Sequence, residues 1–97
     1  MPRASVVVAT RDRADSLAAL LSALAEQTLP REDFEVIVID DGSTDHTARV
    51  LAEAEARGTL QLRIARDEGR GPGAARNRGW REARGEIVAF TDDDCRP

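Results

Sequence analysis

The sequence predicts an α/β fold in which strands and helices alternate around a parallel sheet. Two observations support this prediction. Four short apolar runs, rich in β-branched residues, alternate with three segments of helical character, and glycine or proline lies at several of the junctions. Strands that alternate with helices pair in parallel through right-handed crossovers, so the predicted element order is β-α-β-α-β-α-β.

The predicted strands differ in how apolar they are. Residues 35–40 form the most continuous β-branched run, which is typical of a strand buried on both faces. Residues 60–65 alternate apolar and polar side chains, so one face of that strand is expected to be more polar. The four predicted strands are residues 4–10, 35–40, 60–65 and 86–90.

The helical segments carry signals for where they begin and end. Four leucines at helical spacing give the first segment an apolar face, and Asp12 or Asp15 is the expected cap at its start. Ser43 or Asp45 is expected to cap the second helix, and Gly58 suits its C-terminal end.

Composition narrows the classes of function. The 97 residues carry a net charge of −4, which argues against nucleic acid as a partner, and all 14 basic residues are arginine, which excludes mechanisms that need a lysine of this chain. Cys95 is the single cysteine, so no intrachain disulfide forms. No apolar run approaches the ~20 residues that span a bilayer. We therefore expect a cytoplasmic protein that is either free or peripheral to a membrane.

Acidic residues follow the predicted strands. Because the carboxyl ends of parallel strands lie along one edge, where ligands of such sheets bind, these carboxylates are expected to face one crevice. The repulsion between carboxylates held close together must be compensated by positive charge. A Mg²⁺ or Mn²⁺ ion would supply that charge and would also bridge to a diphosphate. The residues at the ends of strands one, two and four are Thr10-Arg11-Asp12, Asp40-Asp41 and Asp92-Asp93-Asp94.

A glycine-rich segment, residues 69–73, precedes the third predicted helix, residues 74–84. Glycines allow a backbone to approach a ligand closely, and a helix N-terminus favours anions. Arg76 is placed to pair with a phosphate or stack on a base. Taken alone, the segment fits a flexible loop before an arginine-rich helix equally well.

Taken in order, four segments resemble the family 2 glycosyltransferases of the GT-A fold. The matching segments are residues 6–13, 36–45, 71–79 and 83–94. The resemblance covers nearly the whole chain and implies a Rossmann-like half-domain with strand order 3-2-1-4. It also implies transfer of a sugar from a nucleoside-diphosphate donor, most commonly a UDP-sugar and usually with inversion, assisted by Mn²⁺ or Mg²⁺.

The resemblance also implies roles for individual residues. Thr10, Arg11 and Asp12 would line the base pocket. Asp40 and Asp41 would contact the base or ribose, and Arg76 would lie near the base or diphosphate. Asp92 and Asp94 would be the ends of an Asp-x-Asp motif that holds the ribose and the metal, with Asp93 between them.

The sequence departs from the family pattern chiefly in length. Family domains run to about twice this size, so residues 1–97 are expected to form the N-terminal, donor-binding portion, incomplete and inactive alone. The acceptor region and the catalytic base are expected beyond Pro97, since Asp67 and Glu68 are candidates by residue type only. An uncovered outer edge of strand four is expected to cause self-association or marginal stability.

Other functional classes fit less well. A dinucleotide-binding oxidoreductase needs glycines after strand one, and residues 11–15 contain none. A phospho-receiver domain or a sugar nucleotidyltransferase would need a lysine. The remaining alternative is a non-catalytic nucleotide-binding or scaffold module derived from a transferase. His46 and Cys95 receive no role, and Trp80 is expected to pack against neighbouring apolar surface.

Overall fold

The computed structural model describes residues 3–26, 31–69 and 71–92. Within these ranges all four predicted strands form a single parallel sheet of order β3-β2-β1-β4. The predicted α/β class and strand order are therefore confirmed. The elements are β1 (Ala4–Thr10), α1 (Ala14–Ala25), β2 (Phe34–Asp41), α2 (Thr47–Arg57), β3 (Gln61–Asp67), α3 (Pro72–Glu82) and β4 (Ile87–Asp92), with a short 3-10 turn at Arg31–Asp33 before β2.

The central strand β2 is buried along all eight of its residues. It pairs with β1 along one edge and with β3 along the other, and helices cover both faces of its Val-Ile-Val-Ile run. Helices α1 and α2 cover one face, where Val36 and Val38 join leucines of both helices. Helix α3 covers the other face, where Ile37 and Ile39 pack with Ala75.

Helix α3 lies unusually close to β1. A Cβ added to Gly79 would lie 2.2 Å from Cγ1 of Val7, far inside van der Waals contact. Only glycine fits between this helix and this strand. The helix begins at Pro72, two residues before the predicted start, because proline is well suited to the first helical turn.

The start of α1 differs from the prediction. Arg13 occupies the N-cap position and makes no side-chain cap hydrogen bond, so the expected caps Asp12 and Asp15 are wrong. The carboxylate of Asp12 is instead turned towards the β2–α2 loop. The first helical amide, that of Ala14, donates to Oδ2 of Asp45 at 3.3 Å. A residue of the β2–α2 loop thus accepts a hydrogen bond from the start of this helix.

The start of α2 is organised by the same aspartate. His46 is the N-cap residue and makes no side-chain cap bond, whereas Asp45 Oδ1 accepts a hydrogen bond from the Thr47 amide at 3.0 Å and another from the Thr47 hydroxyl. Ser43, the other expected cap, accepts from a different loop. Gly58 ends the helix in the left-handed conformation, with φ of 67°, as predicted.

The outer side of the sheet at β4 exposes apolar residues. Ile87 and Phe90 of β4 are 63% and 46% exposed, and Trp80 of α3 is 60% exposed. The expectation that Trp80 packs against apolar surface is therefore wrong, because the part of α3 that contacts the sheet is formed by Ala75 and Gly79. None of the helices in residues 3–26, 31–69 and 71–92 is long and apolar enough to cross a membrane.

Candidate functional site

The register of the sheet brings the predicted strand ends to one edge. Thr10 of β1 pairs with Asp40 of β2, and Ala9 pairs with Asp92 of β4. On the far side of β2, Asp41 pairs with Asp67 of β3. The ends of β1, β2 and β4 therefore lie along one edge of the sheet, as the sequence predicted, and Asp67 of β3 extends this edge beyond β2.

The two successive aspartates of β2 face opposite sides of the sheet. Asp40 is 2% exposed, lies on the α2 side, and accepts a hydrogen bond from the Ser43 amide at 3.0 Å. Asp41 lies on the α3 side, where its Oδ2 accepts from the Gly71 amide at 2.9 Å. Asp40 therefore holds the turn that follows β2, while Asp41 reaches the loop that precedes α3.

Asp12 links the loops after β1 and β2. Its backbone lies in the left-handed region, with φ of 52°, and its amide donates to Ser43 Oγ at 2.9 Å. Its Oδ1 accepts from the amides of Thr44 at 2.7 Å and Asp45 at 3.3 Å. The carboxylate thus organises the loop, and a direct contact of Asp12 with a base stays a prediction.

Asp45 is the second carboxylate that joins these loops. The hydrogen bond from the Thr47 hydroxyl lowers the pKa of Asp45 below its usual value, although loss of water around the carboxylate opposes the shift. The backbone amides of Thr47 and Ala14 lower the pKa further. The charged form of Asp45 is therefore favoured in the folded chain, where it binds the starts of both helices.

Glycines allow the loops after β2 and β3 to touch. A Cβ on Gly42 would lie 3.0 Å from the Gly69 nitrogen, and both residues have positive φ, at 83° and 73°. The exposed guanidinium of Arg11 lies against the same point, since a Cβ on Gly69 would lie 3.6 Å from Arg11 Nη1. Residues from three loops therefore converge beside Asp41.

Arginines of α3 and β3 brace this edge in a way that the sequence did not reveal. Arg78 donates to the Asp67 carboxylate at 2.5 Å and to the Arg66 carbonyl at 2.6 Å. Arg66 in turn donates to the Ser43 carbonyl at 3.0 Å. Arg76, the predicted ligand contact, is exposed on the first turns of α3 and has an interaction partner.

The predicted metal site is only partly within the described chain. Asp92 is the last residue of β4, and the structure describes its backbone only. The predicted ligands Asp93 and Asp94 lie outside the described residues. Across the described ranges, no group of three or more histidine, cysteine, aspartate or glutamate side chains is placed to hold a metal ion. By their chemistry, carboxylates at this strand end suit a hard divalent cation.

A second polar network lies at the opposite, amino end of the sheet. Glu35 is 2% exposed, and its carboxylate accepts from Ser5 Oγ at 2.6 Å, the Arg84 amide at 2.7 Å and Arg63 Nη1 at 3.1 Å. Burial alone raises the pKa of Glu35, but these hydrogen bonds and the Arg63 charge outweigh it and leave the pKa below its usual value of 4.5. The strand periodicity gave no signal for this network.

Solved structures share the observed fold. A mannosyltransferase from Pyrobaculum calidifontis, in complex with GDP-Man and Mn²⁺, is 37% identical, with a TM-score of 0.91 over 98% of this chain and 28% of its own. TarS 1–349 from S. aureus, in complex with UDP-GlcNAc, is 38% identical, with a TM-score of 0.87 over 97% of this chain and 27% of its own. The alternating elements and the sheet order match the GT-A, Rossmann-like fold of these glycosyltransferases.

Curated relatives agree with the structural matches. Glycosyltransferase AglE of Haloferax volcanii is 37% identical over an alignment of 98 positions, which covers all of this chain and 32% of the relative. A validoxylamine A glucosyltransferase of Streptomyces hygroscopicus is 44% identical over 92 residues, 95% of this chain and 22% of the relative. The chain thus spans about a third or less of these relatives. The family model described as "Glycosyl transferase family 2" matches residues 5–97, and the chain therefore belongs to glycosyltransferase family 2.

Proposed function

We propose that this chain binds a nucleoside-diphosphate sugar together with a divalent cation, as the donor-binding portion of a sugar-transferring enzyme. In this proposal residues 1–97 supply the nucleotide site. The acceptor region and the catalytic base lie in chain beyond these residues, so the portion alone transfers no sugar. A UDP-sugar is the proposed donor, and inversion is the proposed stereochemical outcome.

The observation that carries the proposal is the convergence of loops around Asp41. The carboxylate of Asp41 is anchored on the Gly71 amide at 2.9 Å. Arg11 and the glycines at positions 42 and 69 complete the same corner. A base and ribose inserted here would meet a fixed carboxylate on one side and a guanidinium on the other. Thr10, Asp40 and Asp12 support this corner from β1, β2 and the adjoining loop.

The cation is proposed to be held by Asp92 and Asp94, with Asp93 between them and either Mn²⁺ or Mg²⁺ as the ion. When bound, such an ion stabilises the negative charge of the departing diphosphate. Asp92 ends β4 directly beside Ala9, so the motif begins at the same sheet edge as the proposed base pocket. Arg76, on the first turns of α3, is proposed to contact the base or diphosphate.

One observation favours the alternative of a nucleotide-binding module without catalysis. Asp67, a residue-type candidate for the general base, is held by Arg78 at 2.5 Å. Because Arg78 occupies this Asp67 oxygen, that oxygen is not open to an acceptor hydroxyl, and a general base needs hydrogen-bond reach to the proton that it removes. Donor hydrolysis or transfer by the purified chain would separate an enzyme from a binding module.

The uncovered side of β4 is proposed to mediate self-association. Ile87 and Phe90 expose apolar side chains on the two faces of this strand, and the residues from 87 to 91 carry no charge. Charged side chains are the usual protection of an edge strand against pairing with another chain. A second copy could therefore add its own β4 along this edge.

Calorimetric titration with UDP and GDP, each with and without Mn²⁺, tests the proposed function. We expect the chain to bind UDP more tightly when Mn²⁺ is present. The double variant Asp92→Ala/Asp94→Ala should lose this Mn²⁺-dependent gain in affinity. The matched control is Asp15→Ala, which changes an exposed aspartate of α1 that is remote from the motif in sequence. Absence of binding under every condition, with a folded protein, would contradict the proposal.

A further inference from the structure

We propose that Glu35 is a positioning residue for the donor site. Its buried carboxylate anchors the turn before β4. It thereby fixes the register of β4 against β1, and so the position of Asp92 at the opposite end of the strand. The inference rests on the proposed function, because Asp92 matters only if the end of β4 holds the diphosphate and its cation.

The first step is that β4 has little side-chain burial to fix its register. Among its described side chains, Val88 packs partly against the core, whereas Ile87, Ala89 and Phe90 are exposed. The register of a strand is strongly specified where one of its faces is buried and weakly specified otherwise. Buried residues on both faces fix the register of β1 and β2, but the register of β4 must be fixed by something else.

The second step is that the turn before β4 is tied to β1 and β2. Arg84 donates its amide to Glu35 Oε2 at 2.7 Å, and Gly85 donates its amide to Ser5 Oγ at 2.8 Å. Ser5 Oγ itself donates to Glu35 Oε2 at 2.6 Å. A Cβ on Gly85 would lie 2.6 Å from the Ala4 carbonyl carbon, so the turn is pressed against β1. The two amide hydrogen bonds thus hold the turn at one position along β1, and the close contact fixes its distance from that strand.

The third step is that the network requires a carboxylate. Both oxygens of Glu35 act only as acceptors: Oε2 receives Ser5 and Arg84, and Oε1 receives Arg63 Nη1 at 3.1 Å. Arg63 also donates to the Glu82 carbonyl at 2.5 Å, which fixes the end of α3 in the same network. A glutamine at this position would turn an NH₂ group towards one of these donors.

The consequence reaches the other end of the strand. A slip by two residues is the smallest shift that keeps each β4 side chain on its face, and it moves the strand by about 6.6 Å. Carboxylate oxygens bind Mg²⁺ at about 2.0–2.1 Å, so Asp92 could not hold the same ion after such a slip. A carboxylate at the amino end therefore controls ligand geometry at the carboxyl end.

The test compares Glu35→Gln and Ser5→Ala with Val36→Ala, which changes the next residue of the same strand on its opposite face. UDP titrations with and without Mn²⁺ are run at a temperature at which circular dichroism shows every variant folded. We expect the Mn²⁺-dependent gain in UDP affinity to fall about tenfold or more in the first two variants. Metal-free UDP affinity should change less than about twofold, and Val36→Ala should keep both.

Hydrogen exchange separates failure of this inference from failure of the proposed function. In Glu35→Gln we expect faster amide exchange confined to residues 84–92, with β1 and β2 unchanged. Equal loss of affinity in Glu35→Gln and Val36→Ala, or unchanged exchange over residues 84–92, would overturn the inference. If the unmodified chain binds no UDP with Mn²⁺, the proposed function fails, and the exchange pattern still decides whether Glu35 sets the position of β4.

Discussion

The close approach of Gly79 to Val7 predicts that a side chain at position 79 lowers the stability of the fold. Replacing Gly79 with alanine places a Cβ 2.2 Å from Val7 Cγ1 and 3.3 Å from both Cβ and Cγ2 of the same side chain. Val7 is buried and β-branched, so rotating its side chain brings another methyl group into the gap. Relief therefore requires α3 to move away from β1.

Two opposing effects set the expected loss. Overpacking a closed core costs about 1–3 kcal/mol, and this contact belongs at the upper end because the whole Val7 side chain is close. Alanine in place of glycine inside a helix returns about 1 kcal/mol. We therefore expect Gly79→Ala to lower the free energy of unfolding by about 2 kcal/mol, measured by urea denaturation followed by circular dichroism.

A double-mutant cycle provides the control. Val7→Ala removes the two methyl groups that the new Cβ would meet, so the combined variant should lose less stability than the sum of the single variants. The coupling should be about 1 kcal/mol or more in favour of the double variant. A Gly79→Ala variant as stable as the unmodified chain, or strictly additive effects, would refute the close approach of α3 to β1.

Three further predictions concern other parts of the molecule. Asp12→Ala should lower the free energy of unfolding by about 1–2 kcal/mol, because the loop amides lose an acceptor and alanine disfavours the left-handed backbone. Asp12→Asn should lower it by less than half as much. Equal losses of the two variants in urea denaturation would contradict this role of Asp12. The depressed pKa of Glu35 means that its stabilisation is complete above about pH 4.5 and is lost as pH falls through the folded-state pKa. Thermal melts between about pH 6 and 3 should therefore converge for the unmodified chain and Glu35→Gln, and a constant gap would contradict the shift. Ile87→Lys should weaken self-association about tenfold or more in sedimentation velocity, with Glu86→Lys, just before the strand, as the matched control; an unmodified chain that stays monomeric at high concentration would refute association through β4.

The elements most accurately predicted are those whose local pattern decides their burial. The Val-Ile-Val-Ile run of β2 permits burial on both faces, and the acidic residues after it were correctly placed at one sheet edge. β3 extends two residues beyond its prediction, to Asp67, because the ladder with β2 continues to Asp41 despite the polar side chains. Pro72 carried a helix-start signal that the prediction did not use.

The parts that were missed depend on contacts between residues distant in sequence. Glu35 and Arg84 are 49 residues apart, and Asp12 and Thr44 are 32 apart, so no periodicity or cap motif joins them. The cap of α1 was assigned wrongly for the same reason: the acceptor for its first amide is Asp45, which belongs to the β2–α2 loop, 31 residues further along the chain. Local signals place the strands and helices, but the polar bonds between loops arise only after the sheet has formed.

The opposite orientation of Asp40 and Asp41 has a consequence for how this sequence can vary. Asp40 serves the scaffold, since its carboxylate receives the Ser43 amide, and any short acceptor such as asparagine could replace it with modest loss. Asp41 faces the α3 side and the Gly71 amide, so substitution there would alter the corner itself. The two neighbouring aspartates therefore have different roles, and a single-residue insertion or deletion earlier in β2 would turn each side chain to the opposite face of the sheet.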